Sequence, residues 1–121
     1  MKKILVVDDE PSIRELMHDY LSMQGFEVIE AVDGLDGFNK FMQHNPEAAI
    51  LDVEMPGMNG QDLTNKILAI NRNFPVIIIS AFLYKYSRRN FIESGVRAVL
   101  EKPVDLRLIK QNLQAIFGTR N

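Results

Sequence analysis

Five short apolar runs recur along this chain with amphipathic stretches between them, and that alternation limits its fold more than any other feature. The runs are Ile4-Leu5-Val6-Val7, Val28-Ile29, Ala48-Ala49-Ile50-Leu51, Val76-Ile77-Ile78-Ile79 and Ala98-Val99-Leu100. Several are continuous rather than alternating, the pattern of parallel strands covered on both faces. Between the runs, apolar residues fall at helical spacing: Ile13, Leu16, Met17, Tyr20 and Leu21, then Leu63, Ile67, Leu68 and Ile70, then Leu106, Ile109, Leu113 and Ile116. Pro11 suits a first helical turn, Asn59 and Asp105 suit N-caps, and Gly25, Gly95 and Gly118 suit helix ends. Pro46 and Pro75 break the chain just before strands. Five βα units imply an α/β fold, a parallel sheet with helices on both faces. The 121 residues suffice for one domain with a real core and are too few for two.

In an open parallel sheet, ligands bind beyond the carboxyl ends of the strands. The first run leads into Asp8, Asp9 and Glu10; the third ends on Asp52, the fourth on Ser80, the fifth on Lys102 followed by Pro103. Asp8, Asp9 and Asp52 would crowd negative charge and raise one another's pKa unless a cation intervenes. A small number of carboxylates plus waters suits a hard ion such as Mg²⁺, above all when a phosphate completes its shell. Lys102 is a compact positive charge for an anion, Ser80 offers a hydroxyl donor, and Asp52 can serve as a carboxylate nucleophile that forms an aspartyl-phosphate. Taken singly, each has an ordinary reading: a capped turn for the acidic pair, a turn for Asp52, a surface lysine for Lys102. Taken together, at the ends of successive strands, they read as one site for phosphoryl transfer.

Charge and composition exclude other classes. The formal net charge is −2, so there is no global basic field for direct nucleic-acid binding. No apolar run approaches the ~20 residues that span a membrane, and no signal-peptide pattern opens the chain, so a cytoplasmic location is expected. The chain has no cysteine, which excludes disulfides and thiolate metal sites.

At these residues the sequence resembles the receiver domain of bacterial two-component response regulators. Asp52-Val53-Glu54-Met55-Pro56-Gly57-Met58-Asn59-Gly60 resembles the family's phosphoacceptor loop, and Ile4 to Glu10 its acidic pocket. Ser80-Ala81 and Lys102-Pro103 resemble its hydroxyl-Ala and lysine-proline steps. The resemblance covers essentially the whole chain and implies a flavodoxin-like doubly wound (βα)5 sheet of order 2-1-3-4-5, with residues 1–121 a single receiver domain and no output domain in this chain. It implies that a histidine kinase or phosphotransfer protein phosphorylates Asp52, and that Asp9, Asp52 and the backbone carbonyl of Glu54 ligate Mg²⁺, with Asp8 acting directly or through water. It implies a cis Lys102–Pro103 bond, and a switch in the face of the fourth helix, fifth strand and fifth helix that recruits a downstream protein, as a monomer or as a phosphorylation-dependent dimer. It implies a phosphoacceptor and not an enzyme with an external substrate.

The chain departs from the common pattern where Val99 replaces an aromatic that swings during switching and Val104 follows Lys102-Pro103. Phe82, Tyr84 or Tyr86 is then expected to do the equivalent repacking, or the fourth helix acts alone. The aromatic and basic stretch from Phe82 through Arg88 reads either as a solvated helix face or as a partner surface. Glu54 sits where the family's side chains flank the phosphoryl group, so its carboxylate either repels that anion or joins the metal. His18 and His44 are expected on the surface. Three rivals remain: a degenerate receiver used as an interaction module, an aspartate-based phosphohydrolase, whose usual second Asp is here Glu54, and a flavin-binding module, whose phosphate loop Asp8-Asp9-Glu10-Pro11 does not supply.

Overall fold

The computed structural model of the chain describes residues 1–83 and 88–118. In them, five strands, β1 (Lys3–Val7), β2 (Glu27–Ala31), β3 (Ala48–Asp52), β4 (Val76–Ser80) and β5 (Ala98–Glu101), alternate with five helices, α1 (Pro11–Met23), α2 (Gly34–His44), α3 (Gly60–Ile70), α4 (Arg88–Glu93) and α5 (Leu106–Phe117). Every strand pair is parallel and the sheet order is β2-β1-β3-β4-β5. The chain winds outward from β1 to β2, then crosses back past β1 to β3 and continues the other way. That reversal leaves a crevice beyond the carboxyl ends of β1 and β3.

Alternate residues of each strand feed two separate cores. Ile4 and Val6 of β1, Ala48 and Ile50 of β3, and Ile77 and Ile79 of β4 pack with Met17 and Leu21 of α1 and Ile109 and Leu113 of α5. Leu5, Val7, Ala49, Leu51, Val76 and Ile78 point the other way, onto Phe41 of α2, Leu63 and Ile67 of α3, and Phe91 of α4. Coverage on both faces is why the central runs are continuous: β3 and β4 are buried along their whole length. Each fully buried Leu or Ile contributes on the order of 2 kcal/mol.

The punctuation is where its chemistry predicts. Asn59 accepts from the Asp62 N–H (2.9 Å) and Asp105 from the Arg107 N–H (3.0 Å), each cap being worth about 1 kcal/mol. Asp33 caps α2 in the same way, accepting from the Asp36 N–H (2.8 Å). Gly25, Gly95 and Gly118 all take positive φ beyond helix ends. The helical stripes are narrower than their spacing suggests. Leu16 is 47% exposed beside fully buried Met17, because adjacent helical positions point about 100° apart. Ile70, the last residue of α3, is 53% exposed. No helix among the described residues is long and apolar enough to cross a membrane.

Candidate functional site

Strand register assembles the site. Val7 pairs with Leu51, so Asp8 and Asp52 leave adjacent strands side by side. Asp52 pairs with Ile79, which puts Ser80 one step farther out on β4. The Lys102 N–H donates to the Ser80 carbonyl (2.9 Å) and fixes the lysine just past β5. Asp8, Asp52 and Ser80 are almost completely buried, unusual for such residues unless they are paired. For the two aspartates the Lys102 ammonium supplies the pairing. It lies 3.2 Å from Asp8 Oδ2, 3.3 Å from Asp52 Oδ2 and 3.1 Å from Glu10 Oε1. The Lys102–Pro103 bond is cis, as the resemblance implies.

Two further residues hold the first loop. The Glu10 N–H donates to Asp8 Oδ1 (2.9 Å), and the Arg14 guanidinium donates to the Asp8 carbonyl (2.6 Å). The Asp52 loop is pinned from α3. A Cβ on Gly60 would fall 2.4 Å from the Asp52 carbonyl oxygen and 2.9 Å from Val53 Cα, so a side chain there would push on the backbone carrying Asp52. A Cβ on Gly34, at the start of α2, would likewise fall on the Met58 carbonyl oxygen of the same loop.

The charges are unbalanced in a telling direction. Burial, and then the neighbouring Asp8 charge, push the Asp52 carboxyl up to about 7 from 3.8, with Lys102 opposing. Burial also raises Asp8, against the Glu10 N–H and Lys102. Burial alone would lower Lys102; the Asp52 and Asp8 charges and its close contact with Glu10 overturn this and hold it above its usual value. One lysine is thus too little positive charge for the cluster.

Asp8, Asp9 and Asp52 each bring a carboxylate oxygen to within 4.8 Å of the others. Asp52 Oδ1 is buried and has no hydrogen-bond partner among the described residues, and Asp8 Oδ2 meets Lys102 without hydrogen-bond alignment. Asp9 is exposed, at the mouth of the cluster. Buried orphan oxygens beside an open third carboxylate fit a hard divalent cation such as Mg²⁺.

The Glu54 side chain does not join that cluster. Its Oε2 accepts from the Ser80 hydroxyl (2.7 Å) and its Oε1 from the Ala81 N–H (3.2 Å), a contact the sequence did not reveal. Arg14 does not stand out in the sequence; its place one turn after Glu10, at the start of α1, is the local signal that brings it near Asp8. Of the expected switch residues, Val99 is 3% exposed in the core, Phe82 is 39% exposed, and Pro103 is exposed. Arg88 lies on the surface but its guanidinium donates to the Val99 carbonyl, bridging α4 and β5. Tyr84 and Tyr86 lie outside the described residues. His18 is half-exposed on α1, its Nδ1 2.8 Å from Glu30 Oε2, and His44 is exposed.

Comparison with known proteins agrees with this geometry. The family model for the response regulator receiver domain matches residues 4–114. The chemotaxis protein CheY1 of Helicobacter pylori is 34% identical over 124 residues, covering 98% of this chain and 99% of that protein. The sensor histidine kinase RcsC of Escherichia coli is 38% identical over 110 residues, 91% of this chain; the match takes in 12% of the kinase's length. Among solved structures, the response regulator TrrA of Thermotoga maritima in complex with Mg²⁺-BeF superposes with a TM-score of 0.87 at 31% identity, covering 96% of this chain and 99% of that one. The chain from the CheX-CheY-BeF3-Mg complex of Borrelia burgdorferi has a TM-score of 0.89 at 26% identity, covering 98% and 90%.

Proposed function

This chain belongs to the response regulator receiver domain family, and from that premise we propose that it is a phosphorelay switch whose phosphoacceptor is Asp52. Receiver domains are phosphoacceptor switches rather than conventional enzymes, and we assign this one no external substrate to turn over. The observation that carries the assignment is the pairing of buried Asp52 with Lys102 at 3.3 Å, beside an orphan Asp52 oxygen and two further aspartates.

In this reading residues 1–121 form one receiver domain. A histidine kinase or phosphotransfer protein presents a phosphohistidine. An Asp52 carboxylate oxygen forms a P–O bond as the donor's P–N bond breaks, and the imidazole nitrogen keeps the electron pair. Mg²⁺ held by Asp8, Asp9, Asp52 and the backbone carbonyl of Glu54 would neutralise charge on the carboxylates and the incoming phosphoryl oxygens. Lys102 already faces Asp52 and balances the added charge from the other side. Ser80 donates its hydroxyl to a phosphoryl oxygen. Asp52 must be ionised to attack, and its value near 7 makes the ionised form depend on the positive charge around it. Movement at Ser80 is passed to α4, β5 and α5, where Arg88 joins α4 to Val99, and that face recruits a downstream protein.

The test is incubation with Mg²⁺ and acetyl phosphate, followed by intact mass. The wild type is expected to gain one phosphoryl group and Asp52→Asn none. Equal labelling of both proteins would move the phosphoacceptor elsewhere.

A further inference from the structure

A serine hydroxyl has a single proton to give, and here Ser80 gives it to Glu54 Oε2. The Ser80 oxygen meanwhile accepts from the Phe82 N–H (3.0 Å). The next donor along the chain, the Ala81 N–H, goes to the other Glu54 oxygen. One carboxylate therefore takes two donors at the end of β4, one on each of its oxygens, as two oxygens of a phosphoryl group would. Lys102 is excluded from this pairing; its carboxylate contacts are to Asp8, Glu10 and Asp52. The contact joins the loop after β3 to the end of β4, so tertiary structure holds it in place.

Glu54 and a phosphoryl group on Asp52 need the same thing. Glu54 lies two residues from Asp52, and its charge already disfavours the ionised form of Asp52. A phosphoryl group adds roughly −1.5 to −2 charges and requires strong donors. The Ser80 proton cannot serve both anions, and two anions side by side repel each other.

We propose that Glu54 is a built-in anion surrogate: its carboxylate occupies the Ser80 and Ala81 donors in the unphosphorylated protein and is displaced when Asp52 carries a phosphoryl group. This rests on Asp52 as the phosphoacceptor and adds a residue that opposes the reaction. Glu54 sets how strong a donor or anion must be to fill the site, and its release frees the loop after β3 from β4. A carboxylate that merely tethered the loop would stabilise the protein without competing with an anion.

The experiment is calorimetric titration of the full chain with beryllofluoride in saturating Mg²⁺, for the wild type, Glu54→Ala, Glu54→Gln, Ser80→Ala and the Glu54→Ala/Ser80→Ala double variant. Titrations with Mg²⁺ alone run in parallel. Glu54→Ala is expected to bind the analogue roughly tenfold more tightly, the scale of one charge-assisted hydrogen bond removed from a competitor. Glu54→Gln should gain less, since its amide still offers one acceptor oxygen, and the gain should shrink when Ser80 is also absent. In the ion-free protein, the Ala81 amide proton should move upfield on Glu54→Ala. Unchanged or weaker analogue affinity in both Glu54 variants overturns the proposal. So does an equal gain with Mg²⁺ alone, which would place the effect on the cation. If the folded wild type and variants all fail to bind the analogue, the assignment of Asp52 falls first and the surrogate with it.

Discussion

Removing the Asp52 charge should stabilise this protein, and by an amount that depends on pH. The Asp52 carboxyl sits at about 7 in the folded chain against 3.8 for an unburied aspartate, chiefly through burial and next through Asp8. The folded state therefore holds the proton more tightly than the unfolded chain. A group of this sign contributes its stabilisation fully below 3.8 and loses it as the pH rises through 7. Between pH 5 and pH 9 the wild type crosses about two units of that range, and at 1.36 kcal/mol per unit it loses about 2–3 kcal/mol from this group. Asp52→Asn has no such proton to lose. In a chelator, the stability of the variant relative to the wild type should rise by about 2–3 kcal/mol from pH 5 to pH 9. Urea unfolding of both proteins at pH 5, 7 and 9 measures this, and groups common to both largely cancel in the difference. Asp8 is raised in the same sense and should leave a smaller slope in the variant. A difference that is flat across the range, or larger in acid, would refute the picture of an overcharged buried cluster. Mg²⁺ at a hundredfold its dissociation constant should add about 2.7 kcal/mol, with the greater effect at pH 9, because it binds the ionised carboxylates.

Two other substitutions probe the same site. Lys102→Met leaves Asp8 and Asp52 buried without their cation and should cost about 3 kcal/mol at pH 8. Part of that loss should return at pH 5, as the raised carboxyls take up protons; equal losses at both pH values would mean that the lysine stabilises by packing alone. Gly60→Ala forces a Cβ against the Asp52 carbonyl oxygen and should cost about 1–3 kcal/mol in thermal unfolding while weakening beryllofluoride binding. Unchanged binding in that variant would show that the Asp52 backbone tolerates the shift.

Much of the architecture is written locally. A strand buried on both faces is apolar along its interior, so β1, β3 and β4 announce themselves as continuous runs that turn polar only at their ends. Caps act within a turn of the residue that supplies them, so Asn59 and Asp105 are legible as well. The α2 helix is less legible, because Gly34 and Gly37 break its helical signature. Those glycines answer to neighbours distant in sequence, Met58 for one and Val7 with Leu63 for the other.

The same division runs through the site. Asp8, Asp9, Asp52, Ser80 and Lys102 can be chosen from the sequence because each stands at a strand end, and parallel strands bring those ends to one edge whatever the details. The strand order came from resemblance to a family, since periodicity says what each element is and nothing about which strand lies beside which. Direction and charge state belong to tertiary structure alone. That Glu54 reaches across to Ser80, that Glu10 shares Lys102, and that Asp52 is held near 7 all depend on segments meeting through space and on the exclusion of water between them. Hydrogen bonds and desolvation act over a few ångströms in space, and a sequence records only distance along the chain.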